Sequence, residues 1–157
     1  MTVPFNAGEI FEMAGQIERN GAKFYRRAAE LTGDDSAKKL LLGLAEWEDS
    51  HERRFAELRS EFGGPDVALP GDESALYLRA MADGRVFDVQ ADPSEALTGK
   101  ETIEQVLRIA IGLEKESIVF YVGVRELVPD VGGRERVEAI IHEEMRHIAE
   151  LDGRLAG

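Results

Sequence analysis

A repeat at a single offset constrains this chain more than any other feature. Glu18 recurs as Glu114, Tyr25 as Tyr121, Glu48 as Glu144 and His51 as His147, each pair 96 positions apart. Apolar residues at alternating spacings of three and four surround them, tracing single helix faces. Phe11, Ala14, Glu18, Gly21, Tyr25 and Ala28 share one face, and Leu107, Ala110, Glu114, Ser117, Tyr121 and Val124 share its counterpart. Leu41, Leu44, Phe55, Leu58 and Phe62 form a second seam, interrupted by Glu48 and His51. Val137, Ile140 and Leu151 repeat it, interrupted by Glu144 and His147. Two helix pairs related by one offset without a gap suggest a duplicated helical hairpin and predict a pseudo-two-fold axis.

Local punctuation places four long helices at about residues 6–31, 36–62, 99–128 and 134–155. Asn6 with Glu9, and Thr98 with Glu101, have the spacing of capping boxes. Thr32-Gly33 and Gly63-Gly64-Pro65 end the first two helices, and a turn over Pro129–Gly133 separates the last two. Short connections make each pair an antiparallel hairpin. Between the hairpins runs a crossover, 63–98, with a short amphipathic stretch at Ser74–Ala82 and a turn opened by Asp92-Pro93-Ser94-Glu95. Hairpin, long crossover, hairpin is the layout of a ferritin-like four-helix bundle, an all-α fold. The 157 residues suit a single domain, 1–157, with a full core.

Composition narrows the chemistry. The chain carries 31 acidic and 19 basic residues, a net charge of −12. With no basic patch, it is expected to repel nucleic acid. No apolar run reaches the roughly eighteen residues of a membrane span. The opening MTVPFNAGEI lacks the pattern of a secretory signal, so a cytoplasmic location is expected. The absence of cysteine excludes disulfides, thiolate zinc sites, iron–sulfur clusters and a cysteine nucleophile in this chain.

Four glutamates on core-facing seams are costly. Each buried carboxylate costs several kcal/mol unless compensated, and close carboxylates repel one another. No lysine or arginine lies on the seams at that level, so metal cations are the expected counter-charge. Glu-x-x-His puts both side chains on one helix face, one turn apart, within reach of one ion. The expected ligands are Glu18, Glu48, His51, Glu114, Glu144 and His147, holding two ions. Iron is expected, with manganese or zinc as alternatives. The competing reading is a metal-free bundle that retains a buried hydrogen-bond network. Tyr25 and Tyr121 are expected beside the site, either bonding its carboxylates and quenching oxidising equivalents, or as core residues whose hydroxyls find a partner. His142 points to another face and reads as a surface residue. Trp47 reads as a packing or interface residue, and Met13, Met81 and Met145 as packing.

Glu18 with Phe24-Tyr25, Glu48-Asp49-Ser50-His51, Glu114 within Leu-Glu-Lys-Glu-Ser-Ile-Val-Phe-Tyr, and Glu144-Met145-Arg146-His147 together resemble the rubrerythrin branch of the ferritin-like superfamily. The resemblance spans nearly the whole chain. It implies a di-iron site that reacts with peroxide or dioxygen. Two departures stand out. This chain has no Cys-x-x-Cys pairs of a rubredoxin domain, which implies an external electron donor protein. Where typical rubrerythrins carry an extra glutamate one turn after the third-helix ligand, this chain has Ser117, and nearby Glu116 lies on a different face. Three functions follow as expectations: a peroxide- or dioxygen-reactive oxidoreductase, a ferroxidase or iron-handling protein, and a non-catalytic iron-binding bundle. A homodimer is expected, with exchange of hairpins between chains left open by the long crossover.

Overall fold

The computed structural model describes residues 5–64, 67, 69, 72–84 and 88–157. Parts of the 63–98 crossover, including Pro65, lie outside the described residues. Among those described there are five α-helices: α1 (Ala7–Leu31), α2 (Asp35–Phe62), α3 (Glu73–Ala82), α4 (Ile103–Arg125) and α5 (Val131–Ala156). A single 3-10 turn over Pro93–Ala96 precedes α4. Helix α1 starts with the reciprocal box its sequence announces: Asn6 accepts from the Glu9 N–H at 2.8 Å and Glu9 accepts from the Asn6 N–H at 3.0 Å. Asp34 caps α2 through the Ala37 N–H. Among the described residues no helix is long and apolar enough to cross a membrane.

The bounds of the last two long helices differ from those expected. Glu101 does accept from the Thr98 and Gly99 N–H groups, at 2.8 and 3.0 Å. Gly99, however, has φ +87, a left-handed conformation that a right-handed helix cannot contain. That box therefore closes a turn. The helix begins at Ile103, capped by a second box between Thr102 and Gln105. It ends at Arg125 rather than near 128. Helix α5 begins at Val131 rather than 134, because Asp130 accepts from the Gly133 N–H at 2.9 Å and caps it. Gly133 serves close packing in the first turn: a β-carbon there would fall 2.5 Å from Val128 Cγ1.

Helix α1 pairs along its length with α2, and α4 with α5. The short α3 packs on α4 and donates the Tyr77 hydroxyl to the Val119 carbonyl. The apolar interior forms two slabs. One contains Phe11, Ala14, Phe55, Tyr121, Val124, Val137 and Ile140, with Leu78 and Met81 of α3. The other contains Leu107, Ala110, Leu151, Tyr25, Ala28, Leu41 and Leu44. The 96-residue offset exchanges the slabs residue for residue, Phe11 with Leu107 and Leu41 with Val137. The pseudo-two-fold axis therefore passes between them, at the level of the seam glutamates and histidines.

Candidate metal centre

The six side chains meet in that intervening level. Glu18 and Glu144 are wholly buried, as is His51, while Glu48, Glu114 and His147 are at most 3% exposed. Helix α1 delivers Glu18, α2 Glu48 and His51, α4 Glu114, and α5 Glu144 and His147. Glu18, Glu48, His51 and Glu144 bring one ligand atom each within 4.8 Å of one another, and so do Glu48, Glu114, Glu144 and His147. Glu48 and Glu144 belong to both groups. The two imidazoles stack with centroids 5.8 Å apart.

The tyrosines bond across the axis. Tyr25 donates to Glu114 Oε1 at 2.6 Å, and Tyr121 donates to Glu18 Oε1 at 2.5 Å. Burial pushes both phenols well above their ordinary range, and the surrounding glutamate charges add to this. They are thus donors that stay protonated. His51 Nδ1 lies 2.8 Å from Glu144 Oε1 and 3.5 Å from Glu18 Oε2. His147 Nδ1 lies 3.4 Å from Glu144 Oε2, 3.6 Å from Glu114 Oε1 and 3.7 Å from Glu48 Oε1. Both Nδ1 atoms therefore face the carboxylates.

Protonation splits the carboxylates. Burial pushes Glu18 and Glu48 well above the usual range, and the Glu144 charge pushes them further. Burial presses Glu144 the same way, but His147 and His51 outweigh it and hold its carboxyl down at about 2. Burial lowers His51, yet the Glu144 bond and charge win and raise it. Without a cation, the centre can bear only part of its negative charge.

The structure adds a partner that sequence reasoning missed. His51 Nε2 lies 3.0 Å from Glu143 Oε2, which also accepts from Arg54 Nη1 at 2.6 Å. Glu143 thereby fixes the ring orientation of His51, as carboxylates do behind metal-bound histidines. It immediately precedes Glu144, one position off the seam, and reads as an ordinary surface acid. Its counterpart by the repeat is Trp47, whose ring lies 6.2 Å from that of His51 and 5.9 Å from that of His147. Both residues occupy the position before the seam glutamate, so comparing the two copies there was the available signal. Trp47 is thus beside the centre, though half-exposed. His142 is exposed, as expected. Met81 is buried, but Met145 is 53% exposed and is not a packing residue. Ser117 is buried and donates to its own helix at Leu113 O, at 2.9 Å. Glu116 is exposed and belongs to neither ligand group.

The donor set fits a pair of cations. Glu18 Oε2, Glu48 Oε1, Glu114 Oε2, Glu144 Oε2 and His147 Nδ1 are buried and have no hydrogen-bond partner. Buried polar atoms without partners are rare, because each costs on the order of 1–3 kcal/mol or more. Here they concentrate in one layer, and all are hard or borderline metal donors.

A bundle of two hairpins and a long crossover, with carboxylates and histidines layered through its middle, defines a ferritin-like protein. The rubrerythrin family model matches residues 9–154, and the chain belongs to that family. It is also similar to the crystal structure of a Thermotoga maritima protein described as a ferritin-like diiron-carboxylate protein. The two share 25% identity and a TM-score of 0.75, over 99% of this chain and 98% of the other. No curated protein matches this chain.

Proposed function

We propose that Glu18, Glu48, His51, Glu114, Glu144 and His147 hold two iron ions, and that the loaded protein is an oxidoreductase acting on peroxide or dioxygen. The observation that carries this is the layer of buried, unpartnered carboxylate oxygens, which a pair of cations would satisfy together. Glu48 and Glu144, common to both groups, would be shared by the ions. Glu18 with His51 would complete one site, and Glu114 with His147 the other. Two ferrous ions bound there supply the two electrons that, with two protons, reduce hydrogen peroxide to two waters.

The protein's own part is positioning. Tyr25 and Tyr121 steady one oxygen each of Glu114 and Glu18, leaving the other oxygen of each unpartnered. Glu143 and Arg54 set the ring of His51. The apolar slabs on both sides keep bulk water from the centre. These 157 residues contain no cysteine and so hold no rubredoxin-type iron, and a donor outside them renews the electrons.

Metal analysis of the purified protein should find two irons per chain. The ferrous protein, mixed with peroxide in a stopped-flow instrument, should oxidise faster than free ferrous iron. Equal rates would remove the catalytic reading, and turnover of many irons per chain would replace it with iron oxidation and release.

A further inference from the structure

A cavity of about 120 Å³ lies beside the centre. Its walls include three pairs related by the repeat: Ile17 with Leu113, Asn20 with Glu116, and Gly21 with Ser117. It therefore sits on the pseudo-two-fold axis, between α1 and α4. The histidines come from α2 and α5, so the cavity abuts the opposite face of the centre. Gly21 and Ser117 lie one helical turn beyond Glu18 and Glu114. A β-carbon on Gly21 would fall 2.7 Å from Glu48 Oε2, which places that carboxylate directly behind the cavity wall. On the outer side the crossover contributes Asp88, Ala91 and Pro93, and Asp88, Ala91 and Glu116 are exposed. The cavity thus runs inward from the surface to Gly21 and Ser117, which form the wall in front of the carboxylates.

We propose that this cavity is the port by which neutral molecules of two to four heavy atoms reach the histidine-free face of the centre, and that the smallness of Gly21 and Ser117 keeps it open. The inference rests on the metal centre proposed above and names its substrate class. Size sets one limit. At roughly 30 Å³ per water-sized molecule the cavity holds about four, far less than the ~300–1,000 Å³ of sites for larger ligands. Charge sets the other. Asp88 and Glu116 line the outer part and disfavour anions. Dioxygen and hydrogen peroxide meet both limits.

The two copies of the outer pair have divided their work. Asn20 donates to the carbonyls of Val89 and Ala91, at 2.8 and 3.3 Å, and so latches the crossover over the opening. Lys23 adds a 2.6 Å ion pair to Asp92. Glu116 makes no such tie to the described residues of the crossover and stands at the rim.

Nitric oxide, a neutral diatomic that binds ferrous iron, tests this in the iron-loaded full chain under anaerobic conditions. Its association and release are followed by the absorbance of the iron nitrosyl. Ala91→Trp, on the outer wall, should slow association and release alike at least tenfold while leaving affinity, iron content and melting temperature unchanged. Ser117→Leu, at the inner end, should slow association and also weaken affinity. Asn20→Ala should speed association severalfold. Unchanged rates in Ala91→Trp protein that retains its iron would overturn the port, and that variant decides the matter even if Ser117→Leu disturbs iron binding. An unsubstituted chain that binds no iron would instead overturn the metal centre, and the port with it.

Discussion

The two hairpins share their inner residues and differ in the ring around them. Glutamate, Glu-x-x-His and tyrosine occupy the same places in both copies, and each hairpin's tyrosine holds the other's glutamate. One step outward the copies part. Glu143 orients His51, where the other copy places Trp47 beside His147. Gly21 faces Ser117 across the cavity, and Asn20 is tied to the crossover while Glu116 has no such tie among the described residues. Positions that must balance charge have stayed paired. Positions that meet the crossover and solvent have diverged, because the single crossover makes their surroundings unequal.

The sharpest way to break the symmetry is at its shared members. Glu144→Ala should abolish binding of both ions, since Glu144 serves both groups, whereas Glu18→Ala should leave partial occupancy. Metal content per chain decides between them, and equal loss in both variants would refute the assignment of shared and unshared carboxylates.

Protonation gives the next largest contrast. In the metal-free protein Glu18 and Glu48 are raised above 4.5 and His51 above 6.5, so the folded state binds more protons than the unfolded state. Stability must then fall as pH rises above the unfolded carboxylate value of 4.5, and further above the unfolded histidine value of 6.5. Glu144, held at about 2, contributes stability that is full above the unfolded carboxylate value of 4.5 and is lost progressively as pH falls from there through about 2. Urea unfolding at pH values above 4.5 should show the decline, and Glu48→Gln should flatten it.

The ring around the centre can be tested by exchange. Glu143→Ala should weaken metal binding by ~10–100-fold, as loss of such supporting groups does. Trp47→Ala should change it much less, and competition with a chelator measures both. In the metal-loaded protein, where both glutamates would be ionised, Tyr25→Phe and Tyr121→Phe should each lower stability by about 1.5–3 kcal/mol, the worth of a hydrogen bond to a charged group. Unequal values from chemical denaturation would show that the copies have drifted apart even here. Smallest of all, Thr102→Ala should cost about 1 kcal/mol by removing the α4 cap, and Thr98→Ala, in the preceding turn, should cost less.

The bundle and its central layer were readable because buried charge at helical spacing is conspicuous, and repetition at one offset made it more so. The helix bounds at 99 and 134 were less readable. Thr98 and Glu101 do bond as a capping box would, and only the left-handed Gly99 shows that the helix waits for Thr102. Gly132-Gly133 looks like a turn, yet Gly133 is there to let α5 approach Val128 and Phe62. Glu143 escaped notice because its importance depends on the rotation of a partner helix, which no local spacing reports. Trp47 lies one position off the seam and touches the histidines only through ring size.

Each apolar slab draws residues from both hairpins, so neither hairpin owns a complete interior. Cut at the crossover, the chain would yield two fragments, each with part of each slab, three of the six central glutamates and histidines and one of the two tyrosines that bond to them. Either fragment could complete itself only by joining a second copy or its sibling. A duplication of this kind has a natural starting point in two identical hairpins that met face to face, before a linker joined them and allowed each to change alone.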